Sequence, residues 1–424
     1  MSSSPVNPHI HSYSKFFAIL VGFSIPSLAF GRAVFATVIG LALIFLVMTP
    51  LFRVGWQTLI ENMRTFFGVL IILVIFSWSI SAIGSDFPGR SFEASARTGL
   101  FIAIAVFIYA ALSHDNYLST LCLKSLILTT FVASGFALLA SSMWPEIYWV
   151  QRLKGWQSTP LETEFKGYSS LIVLLTPLLL IGMMRFNTLW KVSALAGITM
   201  LFSIMLLSVN RSAIAGLLSM AMIFSLTQFF RPKYQKKAIV ICTGFLIILM
   251  GFIFWLRYAR SYIFNHPHFL HSGIVDANWV FPIWLIDFQR QTIWKFAIGI
   301  WEKAPWLGIG PNTINFLPDA NTPLPGDETL RLIPAHPHNW VVEVLAETGA
   351  FGFCAVLLAI VVTGIQWIRR YADNGDLATL SLILISGGYW GSGLFNFSYW
   401  SAWWQLSFFI ALAVSLALAQ DRKL

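Results

Sequence analysis

Long apolar runs recur along almost the whole chain, and they constrain its fold more than any other feature. A helix needs roughly 20 apolar residues to cross a bilayer, and only helices and closed barrels satisfy their backbone hydrogen bonds in lipid. About twelve such runs occur, at 16–30, 33–51, 66–83, 99–112, 121–143, 169–184, 192–209, 212–230, 238–256, 341–366, 377–395 and 402–419. The sequence therefore predicts an all-α integral membrane protein with about 12 transmembrane helices.

The composition agrees with a membrane protein and disfavours other classes. Charged residues make up 11% of the 424 residues, whereas a soluble domain usually carries about 25%. The net charge of +9 is not arranged as a basic stripe with aromatic residues, so we expect no nucleic-acid partner. A basic balance suits the anionic headgroups of membrane lipids. No A-x-A-like cleavage site follows the first run, which we therefore expect to remain as a helix.

The distribution of lysine and arginine predicts how the helices are oriented. If the N-terminus is cytoplasmic, the short cytoplasmic segments hold about twice as many of these residues as the short segments on the other side. Both termini are then cytoplasmic. The predicted organisation is helices one to nine in 1–256, a large loop on the opposite side of the membrane in 257–340 and helices ten to twelve in 341–424.

The large loop is expected to contain short helices. Residues 287–303 have helical spacing, with Ile293, Phe296, Ala297 and Ile300 on one face. A proline follows at 305, and 308–311 read Gly-Ile-Gly-Pro, which predicts a helix end and then a turn.

Two arginines are candidate functional residues. The apolar stretch 192–230 is too long for one span, and its only polar interruption includes Arg211, so a tight turn should place this residue at a membrane face. Arg290 begins the predicted loop helix, where its planar guanidinium could bind phosphate oxygens. The alternatives are that Arg211 reaches the headgroups and that Arg290 is a solvated charge or pairs with Asp287.

Polar residues that lead into helix ten form a second candidate group. His336 and His338 flank a proline, and histidine can accept or donate a proton near neutral pH. Asn339, Glu343 and Glu347 follow at intervals of four residues, which places them in one stripe on an apolar helix. Acidic groups within a span are expensive and tend to face a cavity, although a first turn wetted by headgroups would also explain them.

We expect neither a metal nor a cofactor. His266, His268 and His271 give H-x-H-x-x-H, a weak signal because no cysteine lies nearby and prolines interrupt the segment. No D-x-D occurs, so an acidic clamp for a metal–diphosphate complex is not visible.

Taken in order, these motifs resemble those of a known superfamily. They are Asn210-Arg211-Ser212, then Arg290-x-x-x-Trp294, then 305–310 (Pro-Trp-Leu-Gly-Ile-Gly), His338-Asn339 and Glu347-Thr348-Gly349. The set resembles the O-antigen ligase and O-antigen polymerase superfamily.

The resemblance implies a membrane-embedded, glycosyltransferase type C-like fold in the inner membrane of a bacterium. It also implies a metal-independent reaction at the periplasmic face, so that the large loop 257–340 would be periplasmic. The donor would be a glycan on undecaprenyl diphosphate, and a ligase would transfer it to the lipid A–core oligosaccharide, inverting the anomeric centre. The family's functional residues map onto Arg211, Arg290 and His338, with both arginines on the diphosphate. Two alternatives remain: an O-antigen or exopolysaccharide polymerase of the same superfamily, and a transporter without catalysis. A transporter of this size often shows two matching halves, and none is visible here.

Overall fold

The computed structural model describes residues 8–151, 161–231, 288–324, 327–333, 335–395 and 397–420, together with parts of 233–254. The labelled helices within these residues are α1 Pro8–Ser24, α2 Arg32–Val47, α3 Leu51–Met63, α4 Phe66–Ile83, α5 Pro88–Ser113, α6 Asn116–Ser142, α7 Glu146–Gln151, α8 Leu161–Glu164, α9 Lys166–Ser170, α10 Ile172–Arg185, α11 Thr188–Leu207, α12 Arg211–Phe229, α13 Phe288–Lys303, α14 Trp340–Asn374, α15 Leu377–Ser392 and α16 Ala402–Gln420. Short 3-10 helices lie at Pro26–Phe30, Ile314–Phe316 and Pro318–Asn321. A hairpin joins the antiparallel strands β1 Pro323–Leu324 and β2 Asp327–Arg331.

The predicted apolar runs form the helices of the structure. Eleven of about twelve runs coincide with helical segments, which confirms the helical class. The remaining run, 238–256, lies partly outside the described residues. At the end of the run 33–51 the chain bends by 99° between α2 and α3.

The number of membrane crossings stays a prediction. Among the described residues, seven helices are long and apolar enough to cross a bilayer, or eight if the bent pair α2 and α3 counts as one span. Apolar helix α10 has 14 residues, which is about 21 Å at 1.5 Å per residue and short of the roughly 30 Å hydrocarbon layer. Helix α15 is similarly short.

Polar residues between the apolar runs begin the helices. The side chains of Thr65, Asp115, Asn210, Asn339 and Asp376 each accept a backbone N–H in the first turn of the helix that follows. These bonds satisfy donors that a helix leaves unpaired at its start, and each typically stabilises it by about 1 kcal/mol. The polar interruptions therefore set where the apolar segments turn.

One end of the bundle gathers the starts of α2, α5, α12, α14 and α16, and it is called the site end below. There the guanidinium of Arg32 lies 5.5 Å from the ring of Trp403, which links the starts of α2 and α16. The backbone N–H of Trp340, at the start of α14, donates to the carbonyl of Gly393, 3.0 Å away, just beyond the end of α15. The predicted candidate residues all belong to segments at this end.

Close helix packing holds the site end to the rest of the bundle. Helices α12 and α15 meet at Gly216 and Gly388, where a Cβ on Gly216 would lie 2.8 Å from the Gly388 carbonyl oxygen. Small residues that let helix backbones approach are a common packing device in membranes. Beneath the site end, residues 172–175 of α10 and the preceding Leu171 are buried.

The loop helix α13 packs as its periodicity predicts. Ile293, Ala297 and Ile300 are buried, and the latter two contact Ile314 and Ala346. The predicted helix end and turn after Lys303 are also confirmed. The loop is thereby held against the first part of α14.

Candidate functional site

Arg211 lies where the sequence predicted it, at the first residue of α12 after a tight turn. Val209 in that turn has a φ of +45°, which is unusual for a β-branched residue. The neighbouring Asn210 is buried, and its side-chain oxygen accepts the N–H of Ala213 at 3.2 Å. Its amide nitrogen donates to the carbonyl of Lys166 at 2.8 Å. Asn210 therefore fixes both the start of α12 and the segment α9 beside it.

The positive charges of the two predicted arginines both act on Lys166, which begins α9. Its ammonium is partly removed from water, and this burial is the main cause of a pKa below the usual lysine value. The positive charges of Arg211 and Arg290 lower the same pKa further. Like charges within reach of one another disfavour the protonated form. Arg211 and Arg290, which lie far apart in sequence, are thus each within electrostatic reach of Lys166.

Helix α13 connects Arg290 to the histidine segment. Trp294 follows Arg290 by one helical turn and therefore lies on the same face of α13. Its indole N–H donates to the carbonyl of Pro337, 3.0 Å away. Pro337 stands between His336 and His338, so this bond places the histidines beside the Arg290 face of the loop helix.

His338 has an unusual backbone conformation. Its φ is +57°, a left-handed value that costs of order 1–3 kcal/mol in a residue other than glycine and is enriched at functional sites. The rings of His336 and His338 are 4.1 Å apart between centroids and tilted by 57°. The two imidazoles therefore form one cluster immediately before α14.

Asn339 and Glu343 have structural partners. Asn339 begins α14 by accepting the N–H groups of Val341 at 3.0 Å and Val342 at 3.3 Å. Glu343 is buried and accepts the hydroxyl of Ser398 at 2.5 Å and the N–H of Tyr399 at 2.7 Å. Both side chains hold segments together at the site end.

Glu347 binds the backbone of the large loop, and the expectation that it faces a cavity is not met. Its carboxyl group is buried and accepts three successive backbone N–H groups, those of Asn312 (2.7 Å), Thr313 (2.8 Å) and Ile314 (2.9 Å). The indole N–H of Trp400 is a fourth donor. A buried acidic group within an apolar helix is expensive unless it is hydrogen-bonded, and here protein donors supply those bonds.

Two of the sequence motifs are parts of one junction. Gly349 has a φ of +64° and interrupts α14, and the freed N–H of Ala350 donates to the carbonyl of Pro305 at 2.8 Å. A Cβ on Gly349 would lie 2.3 Å from the carbonyl carbon of Trp306, and a Cβ on Gly308 would lie 2.4 Å from that of Glu347. Only glycine fits at these close approaches, which explains why both motifs contain it.

The sequence did not single out Lys166, Ser398 or Trp400. Lys166 precedes an apolar run and resembled an ordinary interfacial lysine, while Ser398 and Trp400 lie in a short polar turn before α16. The signal that could have identified them was a cluster of polar residues at the same end of the bundle as the arginines. Their partners are distant in sequence, so the pairing needed the fold.

The structure does not describe the weak histidine motif. Among the described residues no group of three or more His, Cys, Asp or Glu side chains is placed to hold a metal ion. His266, His268 and His271 lie outside the described residues.

The fold and the site together define a helical membrane protein with a cationic region and a histidine pair at one end. Residues 196–357, which contain Arg211, Arg290, His338 and Glu347, match the family model described as O-antigen ligase. The predicted resemblance to the O-antigen ligase and O-antigen polymerase superfamily is thereby confirmed for the segment that carries its motifs.

Two curated proteins are similar to this chain. A protein of Rickettsia bellii (strain RML369-C) with the provisional name polysaccharide ligase is 23% identical over 47% of this chain and 45% of its own length. A protein of Rickettsia conorii (strain ATCC VR-613 / Malish 7), provisionally named in the same way, is 23% identical over 43% of this chain and 40% of its own length. The chain thus aligns with less than half the length of these relatives.

Proposed function

We propose that the protein is an O-antigen ligase, which transfers a glycan from undecaprenyl diphosphate to the lipid A–core oligosaccharide. The observation that carries the proposal is the hydrogen bond from Trp294 to the Pro337 carbonyl, which holds the histidine segment against the helix that carries Arg290. The family match in residues 196–357 and the two polysaccharide-ligase relatives support it. The site end would face the periplasm, where the glycan-bearing end of the lipid carrier is presented.

The reaction requires that charge on a leaving diphosphate be stabilised. An acceptor hydroxyl oxygen attacks the anomeric carbon, the bond from that carbon to the diphosphate oxygen breaks, and its electron pair remains on the diphosphate. Preorganised cations at the developing charge stabilise such a transition state. Arg211 and Arg290 have this role in the proposal, since a guanidinium presents paired donors to phosphate oxygens. A single displacement inverts the anomeric centre.

The acceptor hydroxyl must lose its proton during the attack. An imidazole near neutral pH is a suitable general base, and His338 has this role in the proposal. Its left-handed backbone and its contact with the His336 ring hold it in a defined place. His336, Asn339, Glu343 and Glu347 support the site by positioning the segments around it.

Glycan transfer by the purified protein is the direct test. The donor is undecaprenyl-diphosphate-linked O-antigen, the acceptor is lipid A–core, and the assay includes a chelator. We expect transfer to continue without a divalent ion. Absence of transfer by monodisperse wild-type protein would refute the ligase proposal, and a requirement for an added metal would refute the metal-independent mechanism.

Deletion of the gene separates the ligase from the polymerase. Loss of all O-antigen-capped lipopolysaccharide is expected for a ligase. Capping by a single repeat unit would survive if the protein were the polymerase instead.

A further inference from the structure

An open groove lies between the first turn of α4 and the second half of α14. It has a volume of about 300 Å³ and is lined by Phe66, Phe67, Val362, Ile365, Gln366 and Arg369. The first four of these residues are apolar, and Phe66 and Ile365 are exposed. The two polar residues follow the apolar ones along α14. The groove is therefore an apolar trough that leads to an arginine.

Helix lengths place the polar end of the groove at a membrane surface. Near the end of α4, the Ser81 hydroxyl donates to the carbonyl of Glu347 at 2.9 Å, so the start of α4 lies at the end of the bundle opposite the site end. Arg369 lies about 20 residues beyond Gly349, where α14 is interrupted, and this helical length is about 30 Å. The hydrocarbon layer is roughly 30 Å thick. A bilayer that begins near Gly349 therefore ends near Arg369, with the apolar lining at hydrocarbon depth.

Helix α3 marks the same membrane surface. The chain bends by 99° between α2 and α3, so α3 runs across the end of the bundle. Three exposed apolar residues share one face of this helix, namely Trp56, Ile60 and Met63. Exposed polar residues lie on a neighbouring face and at the helix end, namely Arg53, Gln57, Glu61 and Arg64. An amphipathic helix of this kind lies at the boundary between acyl chains and headgroups.

Two exposed arginines belong to this surface. Arg369 lines the groove, and Arg64 precedes Phe66, another lining residue, by two positions. Within the described parts of the chain, neither arginine side chain has a hydrogen bond or an ion pair. No acidic residue is among the described residues that line the groove. Both guanidinium groups are therefore available to an anionic group at the membrane surface.

We propose that this groove binds an anionic phospholipid of the leaflet opposite the site end. One acyl chain lies along the apolar lining, and Arg369 and Arg64 bind the phosphate of the headgroup. A guanidinium presents paired donors to phosphate oxygens, and basic pockets between transmembrane helices bind anionic headgroups. A zwitterionic lipid fits less well, because its headgroup also carries a cation that the arginines repel. The inference does not depend on the proposed glycan transfer.

Native mass spectrometry of the purified chain in detergent measures how tightly individual lipids bind. The probes are dioleoylphosphatidylglycerol, which is anionic, and dioleoylphosphatidylcholine, which is zwitterionic and has the same acyl chains. We expect the first phosphatidylglycerol molecule to bind at least about tenfold more tightly than phosphatidylcholine. Each arginine near the headgroups contributes about fivefold, so the double variant Arg64→Gln/Arg369→Gln should lose at least about tenfold in affinity for phosphatidylglycerol. Its affinity for phosphatidylcholine should stay within about threefold of wild type.

Arg53→Gln is the matched control, because it removes the same charge from the same membrane surface. Arg53 is exposed, does not line the groove and lies about 16 Å from Arg64 along α3. Its replacement should change neither affinity by more than about twofold. Ile365→Trp tests the apolar part of the site, since an indole fills the trough and Ile365 is exposed enough for the fold to persist. Both lipids should then bind at least about fivefold more weakly.

Equal affinity of wild type for the two lipids, or unchanged phosphatidylglycerol binding in the double arginine variant, would overturn the inference. An equal loss of both lipids in that variant would show that charge recognition is not responsible. An equal loss in Arg53→Gln would mean that the surface charge acts without a defined site. Unchanged lipid binding in Ile365→Trp would place the acyl chain elsewhere, and a dimer that this variant alone dissociates would make a second copy the occupant. Displacement of the lipid by inorganic phosphate would assign the arginines to a free anion instead.

Discussion

Replacing Glu347 by glutamine tests how the large loop is held to α14. The carboxyl oxygen Oε1 accepts the N–H groups of Thr313 and Ile314, and Oε2 accepts those of Asn312 and the Trp400 indole. Glutamine has nearly the same shape, but one of its two positions is an NH2 group, which donates and cannot accept. Whichever way the amide turns, two of the four donors lose their acceptor.

The size of the effect follows from that count. A buried donor left without an acceptor costs about 1–3 kcal/mol, so two of them cost about 2–6 kcal/mol. Because the loop is held at this point, opening of residues 312–314 should become at least about 30-fold more frequent, given tenfold for each 1.4 kcal/mol. We therefore expect the loss to appear first as local opening of the loop.

Amide hydrogen exchange of detergent-solubilised protein measures this opening. Peptides covering 312–314 should exchange slowly in wild type and at least about 30-fold faster in Glu347→Gln. Glu302→Gln is the control, because Glu302 is an exposed carboxyl on α13 and its change should stay within about 0.5 kcal/mol. Unchanged exchange at 312–314 in Glu347→Gln would refute the reasoning.

Three further predictions concern the site and its orientation. Arg211→Lys and Arg290→Lys should each reduce glycan transfer by about 10²–10³-fold, because lysine keeps the charge but loses the paired donors; near-normal rates for both would disprove the diphosphate role. His338→Ala should reduce glycan transfer by about 10²–10⁴-fold if His338 is the general base, whereas His336→Ala should reduce it less. The reverse order in the same assay would mean that the wrong histidine is assigned. A reporter active only in the periplasm should be active when inserted just before α13, and activity only at the junction of α14 and α15 would reverse the proposed orientation.

Local patterns in the sequence determined the helices and several of their ends. Apolar runs become helices because lipid leaves the backbone no partner outside its own segment. The polar interruption at Asn210 predicted the turn before Arg211, and Asn210 indeed begins α12. Periodicity alone predicted the buried face of α13, with Ile293, Ala297 and Ile300 in the core. These features depend on residues within a few positions of one another, so a single sequence contains them.

Only the tertiary structure decided which polar groups meet. Glu347 was expected in a cavity, yet its partners are backbone N–H groups more than thirty positions away. Backbone donors leave no trace in residue identity, so no pattern could reveal that bond. Lys166 is equally ordinary in the sequence, and it becomes notable only because the buried Asn210 holds its segment beside Arg211. The sequence shows which residue types the site contains, but helix packing sets the distances between them.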